Sequence, residues 1–172
     1  FDAAQSYPIL FLASLDDIKE FIRMKAIISA IICTHNRVDY LIKAIQSLVD
    51  QRMPKDKYEI LIVDNCSTDS TKEMVERFCN VNNVKYFYEP TLGLSYARNT
   101  GWRKATGQYV AYLDDDAIAD PWWLEKIVEV FQTLSPRPGC VGGRVKPIWE
   151  GQRPEWLSDL LLCGLTIIDW SE

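Results

Sequence analysis

The sequence predicts an α/β fold, a mainly parallel sheet flanked by helices. Two observations lead there. Short apolar runs rich in β-branched residues alternate with longer segments whose apolar residues recur every three or four positions. The short runs also lack the in–out alternation of a half-exposed strand, which is the pattern of strands covered on both faces. Connections of helix length between such strands imply right-handed crossovers, and so a parallel sheet.

Ile27 to Cys33 reads as the first strand. After the turn Thr34-His35-Asn36-Arg37, the residues Val38, Leu41, Ile42, Ile45, Leu48 and Val49 set one apolar helix face on the core. Pro54 and its polar neighbours close that unit. Tyr58 to Val63 is the second strand, ending at Asp64. Ser70-Thr71-Lys72-Glu73 has the form of a capping box, with Ser as cap, for a helix carrying Met74, Val75, Phe78 and Cys79. Val84 to Tyr88 is a third, shorter strand. Gly93 to Ala105 reads as a helix entered through Ser95, and Gln108 to Leu113 as a fourth strand ending in Asp114-Asp115-Asp116. Asp120-Pro121 marks a helix start, Asp as cap and Pro at the first position, with Leu124, Ile127, Val128, Phe131 and Leu134 as its apolar face. Val141 to Val145 reads as a fifth strand. Leu15 to Ile22 reads as a short helix ahead of the sheet. The tail after Pro147 is rich in Trp and Leu without a clear period.

At 172 residues, 48% hydrophobic and 25% charged, the chain has the composition of one globular domain. Wholesale disorder and fibrous repeats are excluded. Lys+Arg 19 against Asp+Glu 24 gives a net charge of -5, the opposite of the basic surplus of a duplex binder, so no nucleic-acid partner is expected. The five cysteines, Cys33, Cys66, Cys79, Cys140 and Cys163, form no C-x-x-C pair. They read as free thiols in a reducing compartment rather than a zinc site or a disulfide framework. No apolar run reaches the ~18 residues of a spanning helix, and Phe1-Asp2-Ala3-Ala4 carries no basic signal-peptide region. The expected location is the cytoplasm, or peripheral at the membrane. The start lacks an initiator Met, so the chain is expected to be a fragment or a processed product.

In an open α/β sheet, ligands bind beyond the carboxyl ends of the strands, where the strand order reverses. Those ends are Thr34, Asp64 and Asp114. Turn chemistry alone accounts for any one of the three polar clusters; all three on one edge point to a site. Asp114-Asp115-Asp116 is the sharpest element. If that segment is extended, Asp114 and Asp116 face one volume and Asp115 turns away. Carboxylates so close repel unless a proton or a cation lies between them, and hard oxygen ligands suit Mg²⁺ or Mn²⁺ shared with substrate phosphates. A solvated acidic turn is the plain alternative. Neither G-x-x-x-x-G-K-S/T nor a G-x-G-x-x-G after the first strand is present. Gly93-Leu94-Ser95-Tyr96-Ala97 has the outline of a nucleophile elbow, but that class needs its His after the Ser, and the single histidine, His35, precedes it. His35 reads instead as a satisfied turn residue.

Four segments, in this order, resemble those of the family 2 glycosyltransferases, which have the GT-A (Rossmann-like) fold. They are Ile31-Ile32-Cys33-Thr34-His35-Asn36-Arg37, Ile62-Val63-Asp64-Asn65-Cys66-Ser67-Thr68-Asp69, Gly93-Leu94-Ser95-Tyr96-Ala97-Arg98-Asn99-Thr100-Gly101 and Tyr112-Leu113-Asp114-Asp115-Asp116. The resemblance runs from about Ile28 to about Trp149. It implies a nucleotide-sugar-binding GT-A domain over residues 25–149, an N-terminal extension over 1–24, and over 150–172 the start of an acceptor-side region that stops before it is complete.

The resemblance also implies a nucleoside-diphosphate sugar as donor, a UDP-sugar first. Thr34, with Asn36 and Arg37 of the adjoining turn, would lie near the nucleotide. Asp64 would contact the base, with Asn65 beside it; a carboxylate can accept the N3–H of uracil. Arg98 would supply positive charge or stack on the base. Asp114 would reach the ribose or the metal, with Asp115 among the nucleotide-binding residues, and Asp116 would bind Mn²⁺ or Mg²⁺ across the diphosphate, stabilising the departing charge. Asn36, Asn65, Ser67 and Asn99 read equally well as turn and cap residues.

Family members usually invert the anomeric centre, a carboxylate taking the proton of the acceptor hydroxyl. The acceptor would be a saccharide, a lipid-linked group or a protein. No segment matches the context of that base. Glu150, Glu155, Asp159, Asp169 and Glu172 are the carboxylates available, so the catalytic residue is unassigned. The apolar stretch Leu160 to Ile168, if exposed, is expected to promote self-association. Two other readings stay open. One is a nucleotidyltransferase, which would carry a Gly-rich loop with a basic residue soon after the first strand. The other is a non-catalytic nucleotide-binding or assembly module of the same fold.

Overall fold

Four strands, all parallel, carry the architecture: β1 (Ile28–Thr34), β2 (Tyr58–Asp64), β3 (Val84–Tyr88) and β4 (Tyr109–Tyr112), in the order β3-β2-β1-β4. The computed structural model describes residues 26–80, 83–158 and 161. The expected helix at Leu15 to Ile22, the extension over 1–24, nearly all of Leu160 to Ile168, and Asp159, Asp169 and Glu172 lie outside the described residues. The helices are α1 (Val38–Val49), α2 (Thr71–Phe78), α3 (Leu94–Lys104) and α4 (Trp123–Thr133). The expected α/β class therefore holds.

The chain steps outward from β1 to β2 to β3, then returns to place β4 on the other side of β1. With right-handed crossovers this puts α1 and α2 on one face and α3 on the other. On the α3 face Ile31, Leu61, Val63 and Ala97 form a buried cluster, with Cys33, Phe87, Ala105 and Val110 packed round it. Gly101 lets α3 come this close: a Cβ there would lie 2.6 Å from Ile31 Cγ2. Helical spacing buries Leu41, Ala44, Ile45 and Leu48 of α1, and Met74 and Val75 of α2. Each large aliphatic side chain so buried contributes roughly 1.5–3 kcal/mol.

Helix starts differ from their sequence signals. Ser70 makes no side-chain cap on α2; its φ of -78° and ψ of 23° lie outside the extended region a capping residue usually takes. Asp69 does the work: its Oδ1 accepts the Thr71 amide at 3.1 Å, a charged acceptor at the positive end of the helix. Helix α3 begins at Leu94 behind Gly93, whose φ of 143° suits glycine. Ser95 consequently sits inside the helix rather than at its cap. Asp120 takes the Trp122 amide at 2.9 Å, capping a turn that leads into α4 at Trp123. Gln51, buried at the end of α1, pins this turn, accepting from the Leu124 amide at 3.1 Å and donating to the Asp120 carbonyl at 2.7 Å. The expected strand at Val141 to Val145 is irregular chain, without a strand partner among the described residues. Gly142 and Gly143 give that run no side chains to pack.

The chain divides into two compact units at Glu129 and Val130. The first holds the sheet. In the second, Arg153 donates from Nε to the Leu157 carbonyl at 2.8 Å and lies 5.9 Å from the Trp149 ring centroid, while Ile148 and Trp156 are exposed. No described helix is long and apolar enough to cross a membrane.

Candidate functional site

The strand order reverses between β1 and β4, so the crevice forms beyond the carboxyl ends of those two strands. Polar groups from both meet there. Thr34, the last residue of β1, donates from Oγ1 to Asp115 Oδ2 at 2.8 Å. Arg37, from the turn before α1, forks across two carboxylates, with Nη1 2.9 Å from Asp115 Oδ1 and Nη2 2.8 Å from Asp116 Oδ2. Its guanidinium also lies over the Tyr40 ring, 5.1 Å from the centroid.

The acidic segment is a turn, not an extension: the Ala117 amide donates to the Asp114 carbonyl at 3.1 Å. This corrects the expected extended geometry: Asp115 does lie on the other side from Asp114 and Asp116, but through a turn. The turn points Asp115 inward, where both its oxygens are bonded, and leaves Asp114 and Asp116 on the solvent side. Burial pushes the Asp115 carboxyl above its ordinary value against the pull of Thr34 and Arg37, and the charges of Asp116 and Asp114 add to the rise. Asp114 lies 3.8 Å from Arg98 Nη2, and the Arg98 carbonyl accepts from the Tyr112 hydroxyl at 2.9 Å. Cys33 is half-buried among these groups. Burial raises its thiol to about 11, with Arg98 opposing and Asp115 and Asp114 reinforcing the shift.

Asp64 ends β2 and is buried. Its Oδ1 accepts from the Ser67 amide at 2.9 Å and its Oδ2 from the Tyr86 hydroxyl at 2.7 Å. Burial first, then the hydrogen bond and charge of Asp64, hold the Tyr86 phenol well above its usual range. Tyr86 has no sequence signal beyond its place in β3, and the pattern reading did not single it out.

Asn36 and Asn65, expected near a nucleotide, are heavily engaged in bracing loops. Asn36, at a φ of 53°, accepts on Oδ1 from the Thr68 amide at 2.7 Å and the Asp69 amide at 3.3 Å, while its own amide donates to Ser67 Oγ at 3.0 Å. Asn65 donates from Nδ2 to the Thr91 carbonyl at 2.7 Å and accepts the Gly93 amide on Oδ1 at 2.7 Å. His35 is the satisfied turn residue expected, with Nδ1 2.7 Å from the Asn65 carbonyl oxygen. These bonds tie the loops after β1, β2 and β3 into one edge.

Among the described residues no three His, Cys, Asp or Glu side chains form a ready ligand cluster. Asp114 and Asp116 nonetheless offer exposed hard oxygens. That set fits a divalent cation that takes its remaining ligands from water and a phosphate-bearing molecule.

A family profile described as Glycosyl transferase family 2 matches residues 29–164. Glycosyltransferase AglE of Haloferax volcanii is 36% identical over 121 residues, 69% of this chain and 39% of that protein. Staphylococcus aureus TarS, solved in complex with UDP-GlcNAc, superposes with a TM-score of 0.57 at 31% identity over 60% of this chain and 30% of that one. A mannosyltransferase of Pyrobaculum calidifontis, solved with GDP-Man and Mn²⁺, gives a TM-score of 0.57 at 28% identity over 61% of this chain and 32% of that one. Against three curated relatives the chain spans 39%, 42% and 44% of their length.

Proposed function

Because the chain belongs to glycosyl transferase family 2, we propose that it is the donor-binding part of a glycosyltransferase that moves a sugar from a nucleoside diphosphate to an acceptor hydroxyl, with inversion. The observation that carries this reading is the convergence of Thr34, Arg37, Asp115 and Asp116 at the reversal between β1 and β4. Asp64 and Arg98 flank that point on the same edge of the sheet. The donor half covers residues 25–149. TarS with UDP-GlcNAc and the mannosyltransferase with GDP-Man support a sugar nucleotide as ligand.

In this reading Asp64 recognises the base. Each of its oxygens has one partner already, and a carboxylate oxygen keeps a second lone pair for a ring N–H. Uracil is the first choice. Arg98 supplies positive charge beside the nucleotide or stacks on its base. Asp115 holds Arg37 and the end of β1 in register. Asp116, with Asp114, would hold Mn²⁺ or Mg²⁺. A divalent ion there would supply Lewis-acid stabilisation of the leaving nucleoside diphosphate. The acceptor is a saccharide, a lipid-linked group or a protein, and a carboxylate acts as its general base. In the isolated chain the stretch Leu160 to Ile168 drives self-association, which sedimentation velocity would read as a shift to monomer on Leu161→Ser with Leu165→Ser.

Calorimetry of UDP binding with Mn²⁺ present tests the assignment. Asp64→Ala should weaken UDP by about 1.5–3 kcal/mol and narrow the gap to other nucleotides. A folded Asp64→Ala protein that keeps the parent's affinity and preference would remove Asp64 from the base site. Asp116→Ala should abolish the dependence of UDP binding on Mn²⁺.

A further inference from the structure

We propose that Arg37 is a latch that competes with a divalent cation for Asp116, and that a nucleoside diphosphate opens it. The inference rests on Asp116 being the cation's carboxylate. One guanidinium spans two sequence-adjacent carboxylates at 2.9 and 2.8 Å. The two bonds are not equivalent. Asp115 is buried and its other oxygen is held by Thr34, so its bond to Arg37 is fixed in place. Asp116 is half exposed, with a side-chain accessibility of 46%, and its bond to Arg37 is open to water. The Tyr40 ring face, 5.1 Å from the guanidinium carbon, favours this placement of the fork.

Arg37 thus already occupies Asp116 with positive charge. Two cations on one carboxylate repel, so Arg37 on Oδ2 weakens the hold of Asp116 on an ion, and the ion is favoured when Arg37 lets go. The released nitrogen then needs an acceptor, and a diphosphate oxygen is the geometry a guanidinium fork favours. The latch therefore couples the two ligands. Without nucleotide it suppresses cation binding; with nucleotide it favours it. A lysine cannot reproduce this, because an ammonium is a point donor rather than a planar fork.

The experiment titrates Mn²⁺ by the loss of its free-ion electron paramagnetic resonance signal, with and without UDP. It uses the parent, Arg37→Gln, Arg37→Lys and Asp116→Asn, each checked for folding by circular dichroism. Arg37→Gln should bind Mn²⁺ alone about two- to fivefold more tightly, the range of a partly exposed ion pair. It should also lose part of the enhancement that UDP gives the parent. Arg37→Lys should fall between the two. Asp116→Asn should bind no Mn²⁺ at this site under either condition. If folded Arg37→Gln binds Mn²⁺ alone no more tightly than the parent, the latch is wrong. If Arg37→Gln does not fold, an Arg37→Lys protein with unchanged affinity for Mn²⁺ alone overturns it equally. If the parent binds no Mn²⁺ even with UDP, the cation assignment at Asp116 fails and the latch falls with it. Binding by the parent that ignores Arg37 sinks the latch alone.

Discussion

At the N-terminal edge of the sheet Glu59 is buried next to its register partner Ser29, and at the opposite edge Asp115 is buried to a similar degree. Glu59 has fixed donors on both oxygens. Oε1 accepts from Ser29 Oγ at 2.6 Å and from the amide and hydroxyl of Thr106 at 2.6 and 2.8 Å, while Oε2 accepts from Lys85 Nζ at 2.7 Å. Burial pushes this carboxyl up, but Lys85, Ser29 and Thr106 together outweigh it and hold it below its ordinary value. Asp115 faces the same burial with Thr34 and Arg37 only, and with like charges at Asp116 and Asp114, so it stays above its ordinary value. A buried carboxylate supplied with enough donors cements a fold. One with fewer donors, beside other acids, keeps part of the cost of its charge, which Arg37 only partly offsets.

The two carboxylates should therefore respond in opposite ways to mutation and to pH. Glu59→Ala leaves the buried Ser29 hydroxyl and the part-buried Thr106 amide without their acceptor and should cost about 2–5 kcal/mol at neutral pH, measured by urea unfolding. Its folded-state value is lowered, so its contribution is complete above the unfolded value near 4.5 and disappears as pH falls through the folded value. The gap between mutant and parent should close on acidification. A loss under about 1 kcal/mol would remove the contrast between the edges.

Gly107→Ala tests the same edge by shape alone. A Cβ there would sit 2.7 Å from the Ile28 carbonyl carbon and the Ser29 nitrogen, atoms of a paired strand that cannot yield cheaply. The expected loss is about 1–3 kcal/mol, read as a lower urea midpoint. Parent-like stability would mean that this edge is looser than its hydrogen bonds imply.

Asp115→Asn should have the smallest effect, about 1 kcal/mol or less at neutral pH, because it removes repulsion as well as an ion pair. The sign of its pH dependence is the sharper test. A raised value means that the charged form costs stability above the folded pKa and that protonation relieves the cost as pH falls toward the ordinary 3.8. Asparagine cannot gain that relief. Asp115→Asn should therefore fall further behind the parent as pH drops, where Glu59→Ala catches up. Equal slopes in thermal melts across the acid range would break the comparison.

The sheet was legible because β1 to β4 are apolar runs bounded by turn residues, and local pattern decides such elements. Val141 to Val145 has β-branched ends like a strand and fails as one, since Gly142 and Gly143 offer nothing to pack and strand pairing needs a partner that pattern does not report. The strand-end clusters were legible by type, and Thr34, Arg37 and the acidic turn do meet. The way Asp115 comes to point inward was not, because it depends on a turn closed between Asp114 and Ala117. The work of Asn36 and Asn65 was hidden for another reason: their partners lie some thirty residues away at Thr68 and about twenty-six away at Thr91. Glu59 and Ser29 did leave a trace, as the polar residues inside two otherwise apolar runs.

The lacing of the edge by Asn36 bears on how this protein could be re-engineered. The segment after β1 and the segment Ser67-Thr68-Asp69 behave as one removable part, since the amides of Thr68 and Asp69 end on a single Asn36 oxygen and Ser67 receives the Asn36 amide. A chimaera importing the first segment from a relative, without the second, would leave those amides facing a foreign side chain. Swaps that carry both segments keep the joint intact. Recombination at this edge should therefore cut on either side of the pair, treating two stretches distant in the chain as one cassette.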